Sequence, residues 1–278
     1  MTIADLRKKF SSIKDIEFEL LIAFFLKKDR LWVISNLQYI VTGFLLQKII
    51  VGLEKLTTGS PLAYIVGIKR FYELDFKVNK HVLIPRQETE ELVQHVLDSL
   101  VSNKKHLKVA DLGTGSGCIG VTLAKFVPQN QYYLVDKSTN ALKVAQYNVN
   151  KNLSSVAAMQ VSVHSGNLLE PLQNDLPDII VANLPYLGDN VLQETPGSVK
   201  DYEPYLALYG GKDGLDLYRD LMDQIASYYK NTPLPEMWWE ISPEQKELIE
   251  SDQFPKFTYQ CKFLTDLSNR FRIARWTC

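Results

Sequence analysis

The chain has 278 residues, 46% of them apolar and 23% charged, and its 31 basic side chains against 32 acidic ones leave a net charge of −1. That length accommodates one large domain with a small companion. The near-even charge excludes a bulk binder of polyanions, leaving only local basic patches open.

The segment Met1 to Lys14 is polar and lacks a hydrophobic signal core. The apolar run Leu20 to Leu26 is too short to span a bilayer. Leu31 to Ile50 is interrupted by Ser35, Asn36, Gln38, Thr42, Gly43 and Gln47, so it reads as a buried helix pair and no membrane association is expected. No proline occurs before Pro61, and Thr2-Ile-Ala-Asp5 resembles a capping box. Ile16, Leu20, Ala23 and Phe24 recur at helical spacing as one apolar stripe, and Phe44, Leu45, Lys48, Ile49 and Leu53 continue in helical register. Residues 1–60 are therefore expected to form a small helical bundle, ended by Gly59-Ser-Pro61.

Residues 61–84 are expected to be a β-hairpin linker, because apolar residues alternate on both sides of Glu73 between Tyr64 and Ile84. A domain over 85–278 follows, opening with a helix from Pro85 through Leu100. Strands are predicted at Lys108–Leu112, Gln131–Val135, Met159–His164, Asp178–Ala182, Met237–Ile241, Tyr259–Phe263 and Phe271–Arg275. Helices are predicted at Cys118–Phe126, Thr139–Lys151, Leu215–Tyr229 and Pro243–Ile249, the last with a capping box at Ser242–Gln245 and Pro at its first position. The alternation argues for a parallel α/β sheet, its last two strands forming an antiparallel edge hairpin.

The run Asp111-Leu-Gly-Thr-Gly-Ser-Gly117 follows a strand and opens a helix, as a loop that brings backbone close to a ligand must. Gly113, Thr114, Gly115, Ser116 and Gly117 are candidate cofactor contacts. Asp136, ending the second strand, is placed to accept hydrogen bonds from ribose hydroxyls. The same stretch contains a formal GxGxxG over Gly115–Gly120, so NAD and S-adenosylmethionine both fit these residues alone. Two features favour S-adenosylmethionine: Asp111 can meet a ligand ammonium, and Asn183-Leu184-Pro185-Tyr186 ends the fourth strand at the cofactor crevice. There Asn183 can offer a side-chain oxygen and Leu184 a backbone carbonyl to the two N–H bonds of a planar –NH2 group. Pro185 stiffens the turn, and Tyr186 can stack on the acceptor. The pattern implies methyl transfer to an amide or aromatic amine nitrogen. Cys118, Cys261 and Cys278 are far apart and the four histidines lack metal-ligand spacing, so reduced thiols, a cytoplasmic location and no metal are expected.

Several segments in order carry a closer resemblance. Gly59-Ser-Pro-Leu-Ala-Tyr-Ile65 resembles GEPLAYI, Ile84-Pro-Arg-Gln-Glu-Thr-Glu90 resembles IPRPETE, and Asp111–Gly117 matches DLGTGSG. Tyr202 to Asp216 resembles YEPRLALFGGxDGL, and Glu240-Ile241 with Gln245 resembles EIGxxQ. The chain thus resembles the release-factor glutamine N5-methyltransferases, the PrmC/HemK family. The resemblance implies a class I S-adenosylmethionine-dependent methyltransferase, with a Rossmann-like seven-stranded sheet, after an N-terminal helical bundle; the bundle's self-contained apolar pattern before a linker makes recognition of the release factor its expected task. The resemblance implies methylation of the glutamine amide in the GGQ motif of class 1 peptide-chain release factors. A monomer is expected, and the near-neutral charge with the proline-free bundle argues against direct nucleic-acid contact. The resemblance also implies that Asn167 and Leu168 flank the adenine, and that Asn183–Tyr186 hold the glutamine. This chain departs from the family pattern at Gln87, Asn167, Leu184, Tyr205 and Ser242, where Pro, Asp, Pro, Arg and Gly are usual. An adenine-N6 methyltransferase of RNA or DNA shares the acceptor logic but calls for a basic surface. A dehydrogenase explains Gly115–Gly120 and Asp136 but not Asn183–Tyr186.

Overall fold

A computed structural model describes residues 1–103, 105–266 and 268–278. The chain folds as two compact units, Met1–Ile68 with Pro196–Tyr202, and Lys69–Thr195 with Glu203–Cys278.

The first unit holds helices Ile3–Lys9, Asp15–Leu26, Arg30–Ser35, Gly43–Thr57 and Leu62–Val66. The expected capping box forms: Thr2 Oγ1 accepts from Asp5 N at 3.0 Å, and the Asp5 carboxylate accepts from Thr2 N at 2.9 Å. Ile3, Leu6, Phe18, Leu21, Ile22, Ile49 and Leu53 make the core. The expected stripe on the second helix is wrong, because Ile16, Leu20 and Phe24 are 50%, 40% and 42% exposed and only Ala23 is buried. Asp15–Leu26 is apolar nearly all round, so Phe18, Leu21, Ile22 and Phe25 satisfy the same helical spacing, and they face the core instead. The Leu31–Ile50 stretch does supply parts of two helices but not a buried pair. Val33, Val41 and Ile49 are buried, whereas Leu31 and Phe44 are more than two-thirds exposed. Among the described residues no helix is long and apolar enough to cross a membrane. In the same unit the Tyr202 hydroxyl donates to the Thr58 carbonyl at 2.5 Å.

A hairpin of Ile68–Phe71 (β1) and Leu74–Lys77 (β2) turns at Tyr72-Glu73, both with positive φ, as a two-residue primed turn requires. It is shorter than the alternation predicted, since Tyr64 and Ile65 belong to helix Leu62–Val66. Seven further strands form the large sheet of the second unit: Lys108–Leu112 (β3), Gln131–Asp136 (β4), Val161–Ser165 (β5), Ile179–Ala182 (β6), Glu236–Glu240 (β7), Gln260–Thr265 (β8) and Phe271–Thr277 (β9). Their order is β5-β4-β3-β6-β7-β9-β8. All pairings are parallel except those of β9, which runs antiparallel between β7 and β8. This is the Rossmann-like sheet with an antiparallel edge hairpin that the alternation predicts. One face packs Trp239 against Tyr218 and Trp276 at ring separations of 4.6 and 4.7 Å, and the other buries Leu92, Val96, Val121 and Leu134.

Two boundaries differ instructively. β5 starts at Val161 rather than Met159, because Ser154 caps a short helix, Ser155–Ala158, that uses the preceding residues. The last predicted helix starts at Gln245 rather than Pro243, and its capping box is half made. Ser242 N donates to Gln245 Oε1 at 2.9 Å, but Gln245 N donates to the Ser242 carbonyl instead of its hydroxyl. The Gln245 amide is engaged elsewhere, at the site described next.

Candidate active site

Strand order reverses at β3, which has β4 on one side and β6 on the other. Crevices of this kind, at the carboxyl ends of parallel strands, are where open α/β sheets bind ligands. Here Leu112 pairs with both Val135 and Ala182, so the next residues, Gly113, Asp136 and Asn183, stand side by side at the carboxyl ends of their strands. A cavity of about 550 Å³ opens there. Gly113, Thr114, Gly115, Ser116, Asp136, Asn167, Leu168, Asn183, Leu184 and Pro185 line it. Of the predicted site residues, Asp111, Gly117 and Tyr186 stand outside that lining set.

The loop after β3 owes its shape to positive φ at Gly113 and Gly115 and to the Thr114 N–H bonded to the Val135 carbonyl at 3.0 Å. Gly117 serves packing: an added Cβ would lie 3.3 Å from Leu134, Ala145 and Val121, where helix Cys118–Phe126 meets its neighbours. A residue outside the predicted set steadies this loop. Buried Asn148 donates to the carbonyls of Ser116 (2.8 Å) and Lys77 (3.0 Å) and accepts from Lys77 N (2.7 Å).

Asp136 holds the loop from the other side. Its Oδ2 accepts from Gly115 N at 2.9 Å and its Oδ1 from Ser138 N at 2.8 Å. Burial raises its pKa in spite of these bonds. Asp111 lies deeper, with Oδ2 accepting from Thr114 Oγ1 at 2.5 Å and Gly120 N at 2.9 Å. Its Oδ1 and the nearby Ser116 Oγ are buried and have no partner among the described residues. Burial pushes the Asp111 carboxyl up to about 6. It also pushes the Cys118 thiol, on the cavity wall, up to about 12, which keeps it protonated. Leu168 sits in the left-handed region at φ 55°, an unfavourable conformation for a leucine, and its neighbour's carbonyl accepts from Gln224 Nε2 at 3.4 Å.

Asn183 reaches back into the body of the unit. Its Nδ2 donates to Thr89 Oγ1 at 3.0 Å, and Thr89 Oγ1 donates to Glu240 Oε2 at 2.6 Å. The Tyr186 hydroxyl donates to the other oxygen of Glu240 at 3.2 Å, which draws this residue to Glu240 rather than to the cavity wall. Gln245 Nε2 donates to the carbonyls of Tyr186 (3.1 Å) and Gly214 (2.8 Å). Gly210 and Gly214 allow this approach, since a Cβ on either would lie within about 2.2 Å of the Pro185 or Tyr186 carbonyl oxygen. At the rim, buried Glu203 pairs with Arg86 at 2.5 Å and accepts from Ile84 N at 3.0 Å. Thr89, Asn148, Glu203, Glu240 and Gln245 were not predicted as site residues. Four of them do lie in the segments that carry the family resemblance, and that is the only sequence signal marking them.

The burial of Asp111 yields a stability prediction. An acid whose pKa rises on folding from 3.8 to about 6 destabilises the folded chain progressively as pH climbs through that interval. The ceiling is about 3 kcal/mol, at about 1.4 kcal/mol per pKa unit. Asp111→Asn keeps an oxygen for Thr114 and Gly120. In urea unfolding of the ligand-free protein, the variant is expected to gain on the parent chain near pH 8 and to lose that advantage near pH 4. An equal difference at both pH values would contradict the assignment.

Comparison with known proteins follows the same division of the chain. The PrmC N-terminal domain family matches residues 2–67 and the Methyltransferase small domain family residues 88–195. The human Mettl16 catalytic domain, solved in complex with MAT2A 3′UTR hairpin 6, shares the fold at a TM-score of 0.53, with 15% identity over 83% of this chain and 81% of that one. Sequence relatives are nearer. The release factor glutamine methyltransferase of Mycoplasma mycoides subsp. mycoides SC is 39% identical over 74% of this chain and 73% of its own. That of Clostridium acetobutylicum is 37% identical over 79% of each chain. With identity at that level over about three quarters of both chains, this chain belongs to the release factor glutamine methyltransferase family.

Proposed function

We propose that this chain transfers a methyl group from S-adenosylmethionine to the side-chain amide nitrogen, N5, of the glutamine in the GGQ motif of class 1 peptide-chain release factors. The observation that carries the reading is one shared cavity: the glycine loop, Asp136 and Asn183–Pro185 all line it. The adenine-N6 reading is not favoured, since the curated relatives are named for glutamine methylation.

The residues present fit S-adenosylmethionine. The cavity is within the usual range for a ligand of that size. Gly113 to Ser116 offer close backbone, Asp136 keeps lone pairs for ribose hydroxyls, Asn167 and Leu168 line the wall assigned to adenine, and Asp111 supplies negative charge behind the loop. When bound, the cofactor supplies an electrophilic sulfonium methyl. The chain's own task is orientation. An amide nitrogen is a weak nucleophile because its lone pair is delocalised. Asn183 Oδ1 and the Leu184 carbonyl would each accept one N–H of the glutamine, leaving the lone pair directed at the methyl. Pro185 holds the turn, and Tyr186, anchored on Glu240, fixes its far end. Orientation of two reactants is worth about 7–11 kcal/mol in well-aligned systems, so no general base is required. The methylated nitrogen releases its proton to water.

The same proposal gives the N-terminal bundle the task of recognising the body of the release factor, with the chain acting as a cytoplasmic monomer. Ile16, Leu20 and Phe24 form an exposed apolar row along one helix, suited to a protein partner.

Three measurements test this reading. Mass spectrometry of a release factor co-expressed with this chain is expected to find one added methyl on the GGQ glutamine; an unmodified glutamine would overturn the assignment. Asn183→Ala is expected to lower turnover about 100-fold or more, the loss of one buried oriented acceptor, while S-adenosylhomocysteine affinity changes little. Leu20→Glu combined with Phe24→Glu is expected to cut kcat/KM on the intact release factor about tenfold, near 1.4 kcal/mol. On a short GGQ peptide the same variant should match the parent chain, and an equal loss on both substrates would remove the bundle from recognition.

A further inference from the structure

The Asn183 side chain can sit in either of two nearly isosteric orientations related by a 180° flip, one presenting oxygen to the cavity and the other presenting –NH2. Only the first accepts a hydrogen bond from a substrate amide. The second sets two N–H donors against the donors of the glutamine and repels it. What selects between them is the group behind Asn183.

That group is Thr89, 2% exposed on helix Gln87–Ser102. A threonine hydroxyl has one proton to give. Thr89 gives it to Glu240 Oε2 at 2.6 Å. The Tyr186 hydroxyl donates to the other oxygen of the same carboxylate, and these two bonds favour the ionised form, which has nothing to donate in return, so the bond runs from Thr89 to Glu240. Toward Asn183, Thr89 therefore has only lone pairs, and the Asn183 nitrogen must turn to it, as the 3.0 Å Nδ2 contact shows. Oδ1 is left for the cavity that Asn183 lines. Glu240 is itself 2% exposed and held in place, its Oε1 accepting from Tyr186 and its backbone carbonyl accepting from the Tyr218 hydroxyl at 2.5 Å.

We propose that Thr89 and Glu240 are positioning residues for methyl transfer, a relay in which the buried carboxylate at the end of β7 dictates, through the Thr89 hydroxyl, which face of the Asn183 amide meets the acceptor nitrogen. The inference rests on the glutamine-transfer reading above and adds to it Thr89, at the cavity wall beside Asn183, and Glu240 behind it, both acting through the Asn183 amide. It also accounts for Thr89 and Glu240 lying in two resemblance segments that the acceptor motif itself leaves unexplained.

The test is a kinetic cycle on the full chain with release factor and tritiated S-adenosylmethionine. Thr89→Val keeps the shape and removes the relay; kcat is expected to fall about 10- to 100-fold, with S-adenosylhomocysteine affinity within about twofold of the parent. Thr89→Ser keeps the hydroxyl and should recover most of the loss. Glu240→Gln offers one acceptor where Thr89 and Tyr186 both need one, and should lower kcat by a smaller factor, about 3- to 30-fold. In an Asn183→Ala background both substitutions should become nearly silent, because a relay that acts only through Asn183 has nothing left to orient. A purely structural role would lower activity by the same factor in both backgrounds and would move cofactor affinity too. Parent-level kcat in Thr89→Val, or losses that multiply with that of Asn183→Ala, would overturn the proposal. Failure of the unsubstituted chain to methylate the glutamine is a separate result: it overturns the glutamine reading and takes the relay with it.

Discussion

Everything at this site depends on the parallel pairing of β3 with both neighbours. Because Leu112 pairs with Val135 and Ala182 at once, the chain delivers a glycine, an aspartate and an asparagine to adjacent positions at one sheet edge. Parallel strands point their carboxyl ends the same way, so the loops that follow must share one crevice. The closeness is visible at Gly113, where an added Cβ would lie 2.9 Å from Leu184 Cδ2. The two loops are thereby packed against each other. On the proposed reading one holds the methyl donor and the other the acceptor, so a substitution that pushes either loop away widens the distance the methyl must cross.

Placing polar groups at that edge works against stability. Asp111 and Glu240 are buried and Asp136 is half-buried, and burial raises the pKa of each against the hydrogen bonds that oppose it. Such clustering of perturbed carboxylates is typical of functional sites and not of cores chosen for stability. The unit tolerates it because the layers beneath are strongly apolar. Trp239, on the strand that ends in Glu240, and Trp276, on its neighbour β9, are fully buried against Tyr218, Phe254 and Tyr259. The aromatic layer thus serves the site twice, supplying hydrophobic stability and, through the Tyr218 hydroxyl, a bond to the Glu240 backbone.

What the sequence made legible follows from the range of the interactions. The glycine loop, Asp136 at a strand end and Asn183–Pro185 at another were readable because each is a local pattern on a strand–loop–helix unit, and the structure brings them to one wall. Thr89, Asn148, Glu240 and Gln245 were not readable as site residues, because their roles depend on partners far away in the chain. The Asn183–Thr89 bond spans 94 residues and the Thr89–Glu240 bond 151. Periodicity also fails where composition is uniform: on Asp15–Leu26 nearly every side is apolar, and spacing alone chose the wrong face. The capping box at Ser242 is only half made for a different reason: the Ser242 hydroxyl turns to Glu244, the Gln245 N–H bonds to the Ser242 carbonyl, and the helix begins only at Gln245.

The departures from the family pattern become intelligible on the same grounds. Leu184 stands where proline is usual, but its side chain is buried and the acceptor group assigned to it is backbone, which any residue supplies. Gln87 occupies the first position of helix Gln87–Ser102, where proline is favoured for a preset φ but is not obligatory. Ser242 replaces glycine at a position whose φ is not positive, so no glycine is needed there. Tyr205 replaces arginine on the exposed rim, where it stacks on Tyr209 at 5.3 Å and leaves the Arg86–Glu203 pair untouched. Asn167 lines the cavity, as Leu184 does, and it exchanges a charged acceptor for a neutral one beside the place assigned to adenine. An amide oxygen still accepts from an exocyclic amine, though as a neutral bond roughly half as strong. On the proposed reading the substitutions therefore spare the backbone geometry that orients the acceptor and concentrate their effect on how tightly the cofactor is held.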